Sequence, residues 1–285
     1  SHDVVDELRK IFQQREVGHT GTLDPLATGL MICLLGEATK LSQYVVDANK
    51  AYEVGVRLGI KTDTGDITGQ VETQAEVGHL SAEEVQKAVE KLVGTIELPV
   101  PKYSAVKIAG QKLYEYARRS ESVEIPTRPM EIHEVEFIKY EAGLATLRMS
   151  CSKGTYVRSW AERLGQDLGV GATIENLRRV ASGSFEIGQS ISVAALKEVV
   201  PEDLKARMIP LGQILGHWPA LKIEGRDLVL VRNGQVPHGV ARQLLSAQIT
   251  TGVRLLDENN ALVALLAPPA PQGAKILRVF NQKVH

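Results

Sequence analysis

Thirteen residues, V-G-H-T-G-T-L-D-P-L-A-T-G from Val17 to Gly29, constrain this chain more than any other stretch. They hold three glycines, three threonines, one histidine and one Asp-Pro step, with only four plainly apolar side chains. Gly18, Gly21 and Gly29 open backbone angles that residues with a Cβ adopt only at a cost. Pro25 drives Asp24 away from helical angles toward extended ones. The next six residues, Leu30 to Leu35, read L-M-I-C-L-L and are expected to enter a core. A polar, shaped loop tethered to a buried run is how a scaffold presents a reacting group, here Asp24, the loop's one carboxylate. A plain Asp-Pro turn is the competing reading, and the local sequence leaves both open.

A chain of 285 residues accommodates one large domain and a small one. Its 44% hydrophobic and 24% charged residues are ordinary for a globular protein in water. No apolar run approaches the ~18 residues of a membrane span, and no charged-then-apolar leader is read at the start. Cys33 and Cys151 lie in apolar or alternating runs without motif spacing. They read as buried free thiols in a reducing compartment, so a cytoplasmic protein is expected. Seven histidines and these two cysteines show no zinc-ligand spacing, and no metal is expected. A net charge of −1 gives no global sign of a nucleic-acid partner, so such a partner must be read from local patches. Ser1-His2-Asp3 precedes Val4, Val5, Leu8, Ile11 and Phe12, one face of an amphipathic helix capped by Ser1 or Asp3. No initiator Met stands before that cap, and a missing N-terminal segment is expected.

Lys50 to Gly59 alternates cleanly, with Tyr52, Val54, Val56 and Leu58 on one face and Glu53 and Arg57 on the other, a half-buried strand. Position alone reads Tyr52 as a core aromatic, the other reading being an aromatic at the mouth of a site. Lys61 to Gln70 is rich in Asp, Thr and Gly but lacks the ligand order of a calcium loop, so it reads as a surface turn. Ser81 to Glu84 is a capping box for a helix carrying Val85, Ala88, Val89, Leu92 and Val93. From Lys102 to Arg119 five basic residues stand against one acid, with Tyr103, Tyr114 and Tyr116 interleaved, the ingredients of RNA contact. Glu134 to Tyr140 and Leu144 to Cys151 read as a hairpin. It leads to a turn at Gly154 and a helix capped by Thr155, in whose first turn Arg158 sits. A cation there opposes the helix dipole and calls for an anionic partner. From about Gly216 the texture becomes short strands and turns, Leu228 to Arg232 among them, and suggests a small β module. Its balance of +4 from His217 to His285 leaves −5 for the rest.

Four motifs stand in one order: G-H-T-G-T-L-D-P-L-A-T-G at 18–29, K-A-Y at 50–52, Y-S-A-V-K with L-Y-E-Y-A-R at 103–118, and K-G-T-Y-V-R at 153–158. With N-L-R-R-V at 176–180 they closely resemble the TruB family of tRNA pseudouridine synthases. The resemblance covers residues 1 to about 210 strongly and the tail loosely. It implies an α+β fold: a mixed α/β catalytic domain around a largely antiparallel sheet over 1–212, then a β-rich PUA-like RNA-binding domain over 213–285. It implies isomerisation of the T-loop uridine at tRNA position 55 by base flipping, with no metal or organic cofactor, no obligate protein partner and a monomeric state.

Carried over residue by residue, Asp24 is the catalytic aspartate and Arg158 its partner. Tyr52 stacks on the target base and assists proton removal at C5. Tyr156 and Leu177 line the pocket, and His19 fills the gap left in the T loop. Without the resemblance His19 reads as a loop-ordering donor. Ser104, Lys107 and the following helix match the RNA-gripping segment. The family also places a strand and a Lys-Pro segment ahead of the first helix, and this sequence shows neither, so the chain reads as N-terminally truncated. A tRNA-binding chaperone with little catalysis and a guide-RNA-dependent enzyme of ribosomal RNA are the alternatives.

Overall fold

The computed structural model describes residues 1–119, 121–246, 249–270 and 273–281. The chain forms two compact units, one of Leu23–Leu30 with Asp47–Ser190 and one of Ser1–Thr22, Met31–Val46 and Ile191–His285.

In the first of these units, seven of the described strands form one sheet. Its path runs Phe185–Glu186, Ala172–Ser182, Lys50–Leu58, Leu144–Cys151, Thr127–Glu141 and Gly94–Pro99, with Thr28–Gly29 attached to Ala172–Ser182. Every pairing is antiparallel except that of Thr28–Gly29. Period-two alternation builds the buried face: Tyr52, Val54, Val56 and Leu58 on one strand, Leu147, Met149 and Cys151 on the next. The hairpin between Thr127–Glu141 and Leu144–Cys151 turns through Ala142 and Gly143 at φ 48 and 77, the paired positive angles that match strand twist.

Helices Ala82–Glu90 and Val157–Asp167 cover this face with Val85, Val89, Trp160, Ala161 and Leu164. The capping box at Ser81 and Glu84 is formed in both directions. Trp160 is fully buried, and its indole N–H donates to the Leu92 carbonyl at 3.1 Å. Gly165 is the closest approach of the second helix to the sheet, since a Cβ there would collide with the backbone at Gly171 and Ala172.

The other unit opens with the helix His2–Ile11, Ser1 at its N-cap. Val5 and Leu8 of that helix pack with Val17, Leu196 and Leu204. A four-stranded sheet, in the order Ala220–Lys222, Val253–Leu256, Leu262–Leu266, Ile276–Val279, carries helices Gly225–Arg232 and His238–Ser246. Its core includes Val231, Val240, Leu244, Val253, Leu255 and Val263.

Several expectations are corrected. Val17–Thr20 is a strand paired with Ile32–Leu35, so the shaped loop proper begins later. Gly21 and Gly29 take positive φ of 79 and 98, whereas Gly18 lies in that strand and does not. Of the apolar run, Leu30 and Leu34 are buried and the others are half-buried. Leu228 to Arg232 is helical: Asp227 in the first turn and Arg232 in the last suit the dipole. Lys61 to Gln70 is not merely a solvated turn, because Asp66 is only 5% exposed and its carboxylate accepts from Thr64 and Thr68.

Gly165→Ala is expected to destabilise by about 1–3 kcal/mol, although alanine is the better helix former, because the added methyl overpacks the helix–sheet contact. Urea denaturation checks this, and a gain in stability would remove the close-approach account.

Candidate active site

Asp24 opens a turn in which Pro25 takes the second place and the Ala27 N–H donates to the Asp24 carbonyl at 2.9 Å. Leu26 and Ala27 rest on the sheet's core. Thr28 and Gly29 then pair with Arg178 and Arg179, and the Leu30 N–H donates to the Arg179 carbonyl at 2.7 Å. A Cβ at Gly29 would strike that carbonyl. The loop is therefore docked along its length, and Asp24 projects from it with its side chain 37% exposed.

Arg158 comes from the other side. Gly154, at φ 77, makes the turn after the strand, and the helix takes Tyr156 as its N-cap in place of the expected Thr155. The Arg158 side chain is 6% exposed, and its three nitrogens face three acceptors. One terminal nitrogen donates to the Thr64 carbonyl at 2.8 Å and the other to the Tyr103 carbonyl at 3.1 Å. Nε lies 2.8 Å from Asp24 Oδ2. Both terminal nitrogens are hydrogen-bonded, whereas Nε meets the carboxylate at ion-pair distance without a hydrogen bond, so it is charge that joins the buried guanidinium to Asp24.

The turn that presents the Thr64 carbonyl is held by Asp66 beneath it. Gly65, at φ 74, lets it close on the helix, for a Cβ there would lie 2.7 Å from Glu162 Oε1 and 3.3 Å from the Arg158 Cβ. Burial pushes the Glu162 carboxyl above its usual range, against the pull of Lys61 and Arg158.

Tyr52 completes the centre. It stands opposite Arg179 on one neighbouring strand and Met149 on the other, and it is 8% exposed. Burial pushes its hydroxyl up to about 12, with Cys151 and then Asp24 adding to the rise and the charge of Arg179 opposing it. Leu177 is buried in the same core opposite Val54, with Tyr156 half-buried beside that core. Asp24, Arg158, Tyr52, Tyr156 and Leu177 thus all belong to one unit.

Ser104 is buried and its carbonyl accepts from the Tyr114 N–H. Lys107 lies exposed on the short hairpin of Lys107–Ile108 with Gln111–Lys112. Beyond it Lys112 and Arg118 lie 5.4 and 5.3 Å from the centre of the Tyr114 ring, and Arg119 lies 5.4 Å from that of Tyr116. His19 lies in the strand Val17–Thr20, opposite Cys33, in the other unit. Sequence reasoning missed the carbonyls of Thr64 and Tyr103 and the side chain of Arg179. The arginine's unfavourable place at a helix start was the available signal for the first two. Among the described residues no cluster of His, Cys, Asp and Glu could hold a metal ion, and no helix is long and apolar enough to cross a membrane.

Residues 9–157 match the family model described as the N-terminal domain of TruB family pseudouridylate synthases. A tRNA pseudouridine synthase B of Bdellovibrio bacteriovorus is 39% identical, over 99% of this chain and 93% of its own length. The proteins of the same name from Aromatoleum aromaticum and Haemophilus influenzae Rd are 41% and 39% identical, over 83% and 93% of this chain and 76% and 85% of their own lengths. Among solved structures, a chain of an H/ACA ribonucleoprotein bound to a substrate RNA containing 2′-deoxyuridine gives a TM-score of 0.68 at 20% identity, over 99% of this chain and 82% of that one. A chain of a Cbf5-Nop10-Gar1 complex gives 0.68 at 21%, over 98% and 80%. At that identity these two speak to the fold alone.

Arg158→Lys is expected to cost about 1–3 kcal/mol in urea denaturation, because one ammonium cannot serve three acceptors set in a fork and a buried carbonyl is left unpaired. Tyr52 sets a second expectation. Its folded-state pKa of about 12 exceeds the ordinary 10, so its contribution to stability is complete below pH 10 and is lost as pH rises toward 12. Between those limits the stability of Tyr52→Phe should fall less steeply with pH than that of the parent. Parallel slopes would show that the phenol is not buried in solution.

Proposed function

The chain belongs to the TruB family of pseudouridylate synthases, and on that premise we propose that it isomerises a tRNA uridine to pseudouridine, at position 55 in the T loop, with Asp24 as the reacting group. The observation that carries the assignment of the site is the 2.8 Å pairing of Asp24 with an otherwise fully engaged, buried Arg158. The reaction breaks the C1′–N1 bond, turns the uracil and forms C1′–C5. The C5 proton leaves and N1 gains one, so nothing is added overall. Hydrolysis of a glycoside uses two carboxyl groups, one as acid and one as base or nucleophile. Here the leaving base stays in the pocket and returns, and one carboxylate suffices, either attacking C1′ or taking a proton from the ribose. Both roles need a carboxylate aimed from a fixed loop, and the contact with Arg158 and the docking of residues 23–30 support that aim.

The base leaves its stack at a cost on the order of a few kcal/mol. Tyr52 offsets part of that by stacking beneath it, with Tyr156 and Leu177 closing the pocket. The Tyr52 hydroxyl also stands where it could assist removal of the C5 proton, and Tyr52→Phe separates that role from stacking. Ser104, Lys107 and the helix Leu113–Arg118 grip the RNA, and His19 occupies the space the base vacates. Tyr114 and Tyr116 already carry cations at their rings, an arrangement that suits phosphate contact beside a base. Residues 213–285 serve as a PUA-like RNA-binding domain, within a monomeric, cytoplasmic enzyme that uses no cofactor.

Incubating the protein with unmodified tRNA and mapping pseudouridine tests the reading directly: product is expected at the one T-loop uridine. Asp24→Asn should lower the single-turnover rate by about 10³-fold or more while the tRNA Kd moves less than about threefold. Residual turnover near that of the parent would remove Asp24 from the chemistry, and binding without product by the parent would overturn the reaction itself.

A further inference from the structure

We infer that Arg179 is a positioning residue that locks the Asp24 loop to Tyr52, holding carboxylate and aromatic in one geometry through the reaction; this rests on the function proposed above. Arg179 is 2% exposed in the middle of a sheet, where an arginine is retained only if its donors are consumed. It sits where three strands meet, level with Gly29 of the catalytic loop on one side and with Tyr52 on the other. Leu30, which ends the loop, is held twice by this one residue. Its N–H donates to the Arg179 carbonyl at 2.7 Å, and its carbonyl accepts from Arg179 Nε at 2.7 Å. The same residue stands directly opposite Tyr52 on the neighbouring strand, where its charge lowers the pKa that burial raises. The pairing register shifts between Arg179 and Ala181, a β-bulge of the kind that re-aims a side chain.

The choice of arginine follows from the two partners. The Leu30 carbonyl lies to one side of Arg179 and Tyr52 to the other, and a planar fork with five fixed donors can face both sides, while an ammonium serves one well. Lys50 also lies close, bonded to the Ala48 carbonyl, and Arg179 lowers its pKa together with burial. Two neighbouring cations raise the cost of this arrangement, and the sheet keeps it. At 2% exposure the guanidinium offers no surface to an RNA phosphate, so its effect passes through Leu30 and Tyr52.

Arg179→Lys keeps the charge and loses the fork, and Arg179→Gln loses both. Each is examined by hydrogen–deuterium exchange of the whole protein and by single-turnover assay on unmodified tRNA, in the parent and in Tyr52→Phe. For Arg179→Lys, peptides covering residues 23–30 should exchange about tenfold faster, with the 127–151 hairpin unchanged. The rate should fall about tenfold to a hundredfold, as expected for misplaced reacting groups, with tRNA Kd within about twofold. The loss should be smaller in the Tyr52→Phe background, where one partner is already gone. Unchanged exchange over 23–30, full activity, a loss confined to Kd, or equal losses in both backgrounds would each overturn the assignment. Should Arg179→Gln fail to fold, the lysine variant decides. If the parent makes no pseudouridine, the exchange result still judges Arg179, and only the functional reading falls.

Discussion

A buried guanidinium needs both acceptors and a counter-charge, and the Arg158 site follows from that requirement. Its three nitrogens reach Asp24 and the carbonyls of Thr64 and Tyr103, which come from three separate segments. Moving the Thr64 or Tyr103 segment would strand a donor, and moving the Asp24 loop would part a buried charge from its counter-charge. At the 2.8 Å contact the arginine side chain is enclosed, while the Asp24 carboxylate retains about a third of its surface. Burial raises the pKa of the neighbouring Glu162, against the pull of Lys61 and Arg158.

Rigidity on the arginine side would be wasted on a loose aspartate. The loop from Leu23 to Leu30 is fixed by strand pairing at Thr28 and Gly29 and by core contacts at Leu26 and Ala27. Gly29 permits this because its backbone lies where no side chain would fit against Arg179. The glycines of the motif are therefore uneven in importance. Gly21 and Gly29 serve conformation, and Gly29 also serves contact, while Gly18 is an ordinary strand residue in the other unit.

What the sequence made legible was local. The strand Lys50–Leu58 announced itself by alternation, the helix Ala82–Glu90 by its capping box, and the long hairpin by the Ala142-Gly143 turn. Each signal sits within the element it predicts. Val17–Thr20 was read as loop because its partner Ile32–Leu35 lies beyond the motif, and glycine with threonine is weak evidence for a strand. The apolar run at Leu228 fits strand or helix equally over so few residues, and charge at its ends decided the outcome. For the site, a helix-start arginine implied an acceptor, but only the family resemblance pointed to Asp24. Nothing in the letters foretold that two acceptors would be main-chain oxygens, or that Arg179 would bond Leu30 while standing opposite Tyr52.

Anchoring Arg158 to main-chain oxygens has a consequence for how such a centre tolerates change. Every amino acid carries a carbonyl, so the hold that positions 64 and 103 exert on the arginine passes through no side chain. What must persist is the path of the chain, which rests on the close packing at Gly65 and the carboxylate of Asp66. Substitutions at position 103 can drift while the anchor stays put, whereas the Thr64 hydroxyl bonds Asp66 and so helps hold the turn that presents its own carbonyl.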